Sequence, residues 1–301
     1  MNHLTNFNSP KELRFFLEKR GLGMRKKFGQ NFLVNPAARK ELLDALELKG
    51  AENVWEIGPG LGAMTTGLLE RGARLTAFEI DKGFIAFLRE YFDGNPFFTL
   101  VEGDVLKTWP KHRPDNKEEL FMLGNLPYNI AAILLADFIE KGCLFRRIVV
   151  TVQREVAQRM AAGPGTKDYS SFSVLCASVY KVKLLSVIKA SSFYPAPRVD
   201  SQGVRLELKT NQDKLPKLFY PLVRCLFSSR RKTIRNTLTG FASSVIIKPA
   251  HSARELAEDV LQNTGLCGNR RPETLEIDEF AALAAYFEGI VGHEHGNSSQ
   301  T

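Results

Sequence analysis

Between residues 53 and 161 the chain alternates short apolar runs with amphipathic stretches. The runs are "NVWEIG", "RLTAFEI", "FFTLVEGD", "LFMLGNL" and "RIVVTVQ"; the helical stretches include "AMTTGLLERG", "KGFIAFLREYF", "AAILLADFIEKG" and "REVAQRMAAG". Runs that are short, nearly all apolar and separated by helices suit strands covered on both faces. The expected fold class is therefore α/β, a doubly wound and mostly parallel sheet. Two later runs, "VKLLSVIKA" and "GVRLELK", have no helix between them and are expected to finish the sheet as an antiparallel pair.

The ends of the chain read differently. Ser9-Pro10 is a helix-start signal, and Gly21 a stop. Asn35-Pro36 is a second cap followed by a first-turn proline, opening "PAARKELLDALEL". Beyond about residue 210 the strand signal fades into short amphipathic helices, giving a smaller C-terminal all-helical domain. The expected division is an N-terminal helical extension over 1–24, the α/β domain over 25–210, the helical domain over 211–290, and a polar tail over 291–301. With 301 residues and 44% hydrophobic side chains, the chain can bury cores of that size.

Charge points to a partner. There are 41 basic against 33 acidic side chains, a net +8, which fits a polyanion. From Lys214 to Arg254 there is no acidic residue, while Arg230, Arg231, Lys232 and Arg235 cluster within it. These are expected phosphate contacts, hence an RNA-binding surface. The four cysteines form no Cys-x-x-Cys pair and read as small hydrophobes of a reducing compartment. The first residues lack a signal-peptide pattern, and no apolar stretch nears the ~20 residues of a membrane span. A cytoplasmic protein with no membrane partner is expected. His293 and His295 lack further ligands, so no metal is expected.

"EIGPGLGAMT" is a glycine-rich turn between the first long strand and its helix, where Gly58 and Gly60 let backbone approach a ligand closely. About 20 residues on, a second strand ends at Glu79, where a carboxylate reaches the hydroxyls of a ribose. The third strand ends at Asp104, placed to accept from an adenine amino group. Either acid alone reads as a helix cap; together with the loop they point to an adenosyl cofactor. The spacing Gly58-Pro59-Gly60-Leu61-Gly62 departs from the dinucleotide pattern, and Pro59 removes an amide that phosphate would use. S-adenosylmethionine, which carries no phosphate, fits better than NAD.

"GNLPYNI" ends a buried run in an amide, a proline and a ring. Asn-Leu-Pro-Tyr resembles the catalytic motif of methyltransferases that act on exocyclic amines. An adenine amine is a poor nucleophile because its lone pair is delocalised into the ring. Two fixed acceptors, the Asn125 side-chain oxygen and the Leu126 carbonyl, can hold its hydrogens and turn the lone pair towards a sulfonium methyl. Pro127 fixes the turn, and Tyr128 offers a face for an extruded base. Positioning and fixed dipoles then carry the catalysis.

Across roughly residues 25 to 285 the sequence resembles the ribosomal RNA adenine dimethyltransferases, in the branch acting on small-subunit (16S) rRNA. "RKKFGQNFLVN", "EIGPGLGAMT", "FEID", "GDVL", "NLPYNI", "VTVQREVAQRM", "SSFYPAPRVDSQGVRLE", "FSSRRKTIRNTL" and "RPETLEIDEFAALA" follow in the family's order. The resemblance implies a Rossmann-like S-adenosylmethionine-dependent fold and dimethylation of N6 on two adjacent adenines near the 3′ end of 16S rRNA. It places Gln30, Asn31 and Leu33 along the cofactor, with Gly58, Gly60, Glu79, Asp104 and Asn125. It gives Phe193, which alone reads as core, a role in stacking the target base opposite Tyr128. Met64 and Arg198 depart from the commoner family residues without touching the catalytic set. The expected partner is 16S rRNA in the immature small subunit, bound by a monomer. Two alternatives stand beside this: a methyltransferase of the large-subunit (23S), macrolide-resistance type, and an RNA-binding assembly factor without catalysis.

Overall fold

The computed structural model describes residues 6–23, 30–113, 119–127, 130–210, 215–245 and 252–296, with side chains to residue 290. Its strands are β1 (Phe32–Leu33), β2 (Asn53–Ile57), β3 (Arg74–Glu79), β4 (Phe98–Glu102), β5 (Leu120–Asn125), β6 (Arg147–Gln153), β7 (Tyr180–Ile188), β8 (Phe193–Tyr194) and β9 (Ser201–Leu208). Seven of them form one sheet in the order β4-β3-β2-β5-β6-β9-β7. β2 runs parallel to both β3 and β5, while β9 pairs antiparallel with β6 and β7, as the late runs suggest. Residues 120–124 of β5 and 147–152 of β6 are buried throughout, because helices cover both faces. β1 and β8 form a separate antiparallel pair.

Strand order reverses between β2 and β5, each of which starts a crossover to opposite sides. In an open α/β sheet the ligand crevice lies beyond the carboxyl ends of the strands at such a switch point. Here those ends are Ile57-Gly58 and Asn125.

The helices of this part are α1 (Pro10–Lys19), α2 (Pro36–Ala45), α3 (Thr65–Glu70), α4 (Lys82–Phe92), α5 (Val105–Thr108) and α6 (Ala131–Glu140), and α7 (Arg154–Ala161) follows β6. The expected caps form: Ser9 accepts from the Glu12 amide, and Asn35 from those of Ala37 and Ala38. Gly21 takes φ +62° just past α1, the left-handed turn that ends helices. α1 seals a cluster of Leu13, Leu17, Leu61, Phe84 and Phe87.

By contacts the chain divides into two compact units, Met1–Gln158 with Tyr180–Leu208, and Arg159–Val179 with Lys209–Thr301. Arg159–Val179 thus falls with the helices, although it lies inside the 25–210 span read as α/β. The second unit contains α8 (Ser171–Val179), α9 (Phe219–Phe227), α10 (Ile234–Val245), α11 (Ala253–Thr264) and α12 (Ile277–Gly296). Tyr169, Val174, Phe219, Leu238, Val260, Phe280 and Phe287 share its core. α11 opens with a capping box between Ser252 and Glu255. Among the described residues no helix is long and apolar enough to cross a membrane.

Candidate active site

A cavity of about 270 Å³ opens at the carboxyl ends of β2, β3 and β5. Its floor is the glycine turn after β2. Gly58 and Gly60 have φ of +71° and +59°, values that L side chains rarely adopt. A Cβ on Gly58 would meet nothing within 4 Å, so the backbone there faces open space; one on Gly60 would lie 2.9 Å from the Phe32 ring. The turn is tied down where the Gly58 amide donates to the Phe78 carbonyl at 2.9 Å.

Glu79 closes one side. It is 5% exposed and lines the cavity. Its carboxylate accepts from the amides of Gly60 (3.0 Å), Ile80 (2.9 Å) and Asp81 (2.9 Å). Burial raises its pKa above the ordinary carboxylate value, and those three amides offset part of the rise. The carboxylate is therefore fixed before any ligand arrives. Asp104 both caps α5, accepting from the Leu106 amide at 3.0 Å, and lines the cavity. The helix cap and the cavity wall thus share one side chain.

The β1 side contributes Gln30, Asn31 and Leu33, all on the cavity wall. Gln30 donates to Asp81 at 3.3 Å. The Asn31 carbonyl accepts from Asn125 Nδ2 at 2.7 Å. Asn125 Oδ1 accepts from the Thr151 hydroxyl at 2.5 Å, and the Leu126 amide donates to the Thr151 carbonyl at 3.2 Å. Pro127 lines the cavity, and its carbonyl receives the amides of Ile130 (3.1 Å) and Ala131 (3.2 Å), which begins α6. Leu126 itself is buried. Tyr128 lies outside the described residues.

One feature decides the family. The model for "Ribosomal RNA adenine dimethylase" matches residues 21–266, which span the cavity, the Asn125 turn and most of the helical unit. The chain belongs to the ribosomal RNA adenine dimethylase family. A curated relative from Treponema denticola, "Ribosomal RNA small subunit methyltransferase A", is 44% identical over 292 residues, covering 96% of each chain. A dimethyladenosine transferase from Plasmodium falciparum superposes with a TM-score of 0.71 at 26% identity, covering 86% of this chain and 97% of that one. The 23S rRNA methyltransferase ErmE gives 0.61 at 21% identity, with 85% and 99% covered, a likeness of fold.

Two candidate residues of this dimethylase-family chain make contacts that the sequence does not announce. Phe193 is 3% exposed, packed with Leu33, Leu42 and Ile188 and paired with Leu33 across the β1–β8 ladder. Its ring occupies the core position that the bare residue suggests, and no stacking face is free. Arg235 forms an ion pair with Glu258 at 2.9 Å and packs its guanidinium where a side chain on Gly268 would go. Its side chain is partly exposed and makes both contacts within the helical unit. Arg230, Arg231 and Lys232 are exposed; Arg230 also donates to the Lys167 carbonyl at 3.0 Å.

Other contributors were not legible in the sequence. Phe7 and Leu13, from the N-terminal extension, line the cavity. So does Arg39, which donates to the carbonyls of Leu33 (2.6 Å) and Phe7 (3.4 Å) and to Asn8. Glu56, wholly buried on β2, accepts from the Thr65 hydroxyl at 2.6 Å, while its other oxygen has no partner. Burial, with Glu79 adding like charge, pushes Glu56 up to about 8. Among the described residues no group of His, Cys, Asp or Glu is arranged to hold a metal.

Proposed function

We propose that this chain dimethylates the N6 amines of two adjacent adenines near the 3′ end of 16S rRNA, using S-adenosylmethionine, during small-subunit maturation. The observation that carries the reading is the Asn125 amide, held by two hydrogen bonds at the mouth of a cavity whose other side is the fixed Glu79 carboxylate.

The cavity suits an adenosyl ligand without phosphate. Carboxylates and open glycine backbone line it, and Pro59 offers no amide to an anion. When bound, S-adenosylmethionine supplies a sulfonium methyl open to attack by nitrogen. Glu79 would hold the ribose hydroxyls, Asp104 the adenine amino group, and Gln30, Asn31, Leu33, Gly58 and Gly60 the remaining length. At the β5 end, Asn125 Oδ1 and the Leu126 carbonyl accept the two hydrogens of the target amine. That holds the nitrogen pyramidal, its lone pair aimed along the transfer line. The bound cofactor would supply the methyl to that nitrogen, and the amine proton would go to solvent. No strong general base is required, so preorganised dipoles supply most of the rate. Tyr128 and Phe193 retain their family roles in this reading only if Phe193 leaves its core position when RNA binds.

Small-subunit rRNA is preferred over the 23S type because the Treponema denticola relative is named for the small subunit and matches almost end to end. A non-catalytic assembly factor would have no use for the constrained Asn125 amide. The protein works in the cytoplasm as a monomer on immature subunits. Mass spectrometry of rRNA from a strain lacking the gene tests the assignment. Dimethyladenosine should vanish from the small-subunit 3′ end, and its persistence would refute the reading. Activity confined to naked large-subunit RNA would move the protein to the other branch.

The helical unit supplies phosphate contacts. Replacing Arg230, Arg231 and Lys232 together with alanine should weaken RNA binding and flatten the log–log salt dependence by about 2–3, near 0.7–0.9 per lost contact. Arg235→Ala should instead lower stability, because its ion pair and packing lie within the unit. Equal flattening by both variants would contradict this division.

A further inference from the structure

Sheet register sets Thr151 of β6 opposite Asn125 of β5. Thr151 is wholly buried, in a strand whose other central residues are Ile148, Val149, Val150 and Val152. A buried hydroxyl among such neighbours costs stability unless it is bonded, and valine would fill the same volume. What threonine adds over valine here is its hydrogen bond.

That bond ends on the candidate catalytic amide, at 2.5 Å from Asn125 Oδ1. The orientation of the amide is unambiguous. The Asn31 carbonyl, 2.7 Å from the other side, can only accept, so nitrogen faces Asn31 and oxygen faces Thr151. Thr151 also holds the next residue, since its carbonyl accepts the Leu126 amide at 3.2 Å. One residue of β6 therefore grips both acceptors assigned to the target amine: Asn125 by its side chain and Leu126 by its backbone.

We infer that Thr151 is a positioning residue for methyl transfer, its hydroxyl locking the Asn125 amide so that one lone pair of Oδ1 is left for the target nitrogen. This deepens the proposed function and rests on it. Without the hydroxyl the Asn31 contact alone, among the described residues, orients the amide, and rotation about its last torsion spoils the in-line geometry. Misplacement by a fraction of an ångström at such a centre is expected to lower the rate by roughly tenfold to a hundredfold.

Two substitutions separate this from packing. Thr151→Val keeps the shape and removes the hydroxyl; Thr151→Ser keeps the hydroxyl and removes a methyl. Single-turnover methyl transfer to immature small subunits would be measured for the full chain at saturating S-adenosylmethionine, with thermal unfolding recorded for each variant. If Thr151 positions Asn125, Thr151→Val loses tenfold or more in rate, while Thr151→Ser stays within about threefold of the unaltered chain despite melting lower. A packing role reverses that order, with Val near the unaltered rate and Ser the poorer enzyme, and this result would overturn the inference. So would equal rates for both variants. If the unaltered chain itself transfers no methyl to these subunits, the functional reading fails and the role of Thr151 fails with it; activity in the unaltered chain combined with a fast Thr151→Val variant sinks the inference alone.

Discussion

Asn125→Ala should reduce methyl transfer by about 10²–10³-fold, the cost of removing one preorganised polar group from a site where charge develops. In the proposed mechanism Asn125 Oδ1 accepts from the target amine, and the alanine side chain offers no acceptor in its place. The substitution also removes the acceptor of the buried Thr151 hydroxyl, at a stability cost of about 1–3 kcal/mol. The variant must therefore be assayed at a temperature where unfolding curves show it folded. Because Asn125 also lines the cofactor cavity, rates are compared with S-adenosylmethionine saturating, so that a lower kcat reports lost transition-state stabilisation rather than emptied sites. An alanine variant as fast as the unaltered chain would remove Asn125 from the mechanism.

The second large effect lies one strand over. Among the described residues Glu56 has no ion-pair partner, and burial pushes it up to about 8 from the 4.5 of an exposed glutamate. The folded state then binds a proton that the unfolded chain releases. This contribution is fully present below about pH 4.5 and is lost as pH rises through about 8. The loss amounts to a few kcal/mol, since each pKa unit corresponds to ~1.4 kcal/mol. Glu79 is shifted in the same direction and adds to the slope. Chemical denaturation of the unaltered chain should show a lower midpoint at pH 8.5 than at pH 5. Glu56→Gln, which cannot ionise, should shrink that difference to the part carried by Glu79 and other groups. An unchanged difference would mean that Glu56 is ionised, or solvated, in the fold.

The sheet was readable because strands buried on both faces leave an unbroken apolar signature, clearest in β5 and β6. The caps at Ser9 and Asn35 were readable because helix ends must satisfy free amides locally. α8 was not: "SFSVLCASV" has no charged residue to mark a polar face, so nothing distinguishes it from a buried strand. Glycine loop, Glu79 and Asp104 could be found because each follows a strand end, and strand ends meet at one edge. The contacts of Thr151, Phe7, Leu13 and Arg39 were hidden for the opposite reason. They depend on register between strands, or on where a distant segment lands, and no spacing in the chain encodes either. Arg235 shows the limit of reading charge: the run from Lys214 to Arg254 lacks acids, but Glu258 comes from beyond it to neutralise one member.

The path of the chain between the two units has a practical consequence. It leaves the first unit after Gln158, returns at Tyr180, and leaves again after Leu208. The helical unit is therefore not a terminal cassette. A chain shortened after residue 208 would keep Arg159–Val179 without the helices they pack on, leaving the wholly buried Val174 bare and taking away the Leu275 carbonyl that accepts from Tyr169 at 3.0 Å. Such a fragment is expected to aggregate when expressed. Swapping helical units between relatives to retarget the enzyme would require two grafts made together, one of them inside the catalytic half of the gene.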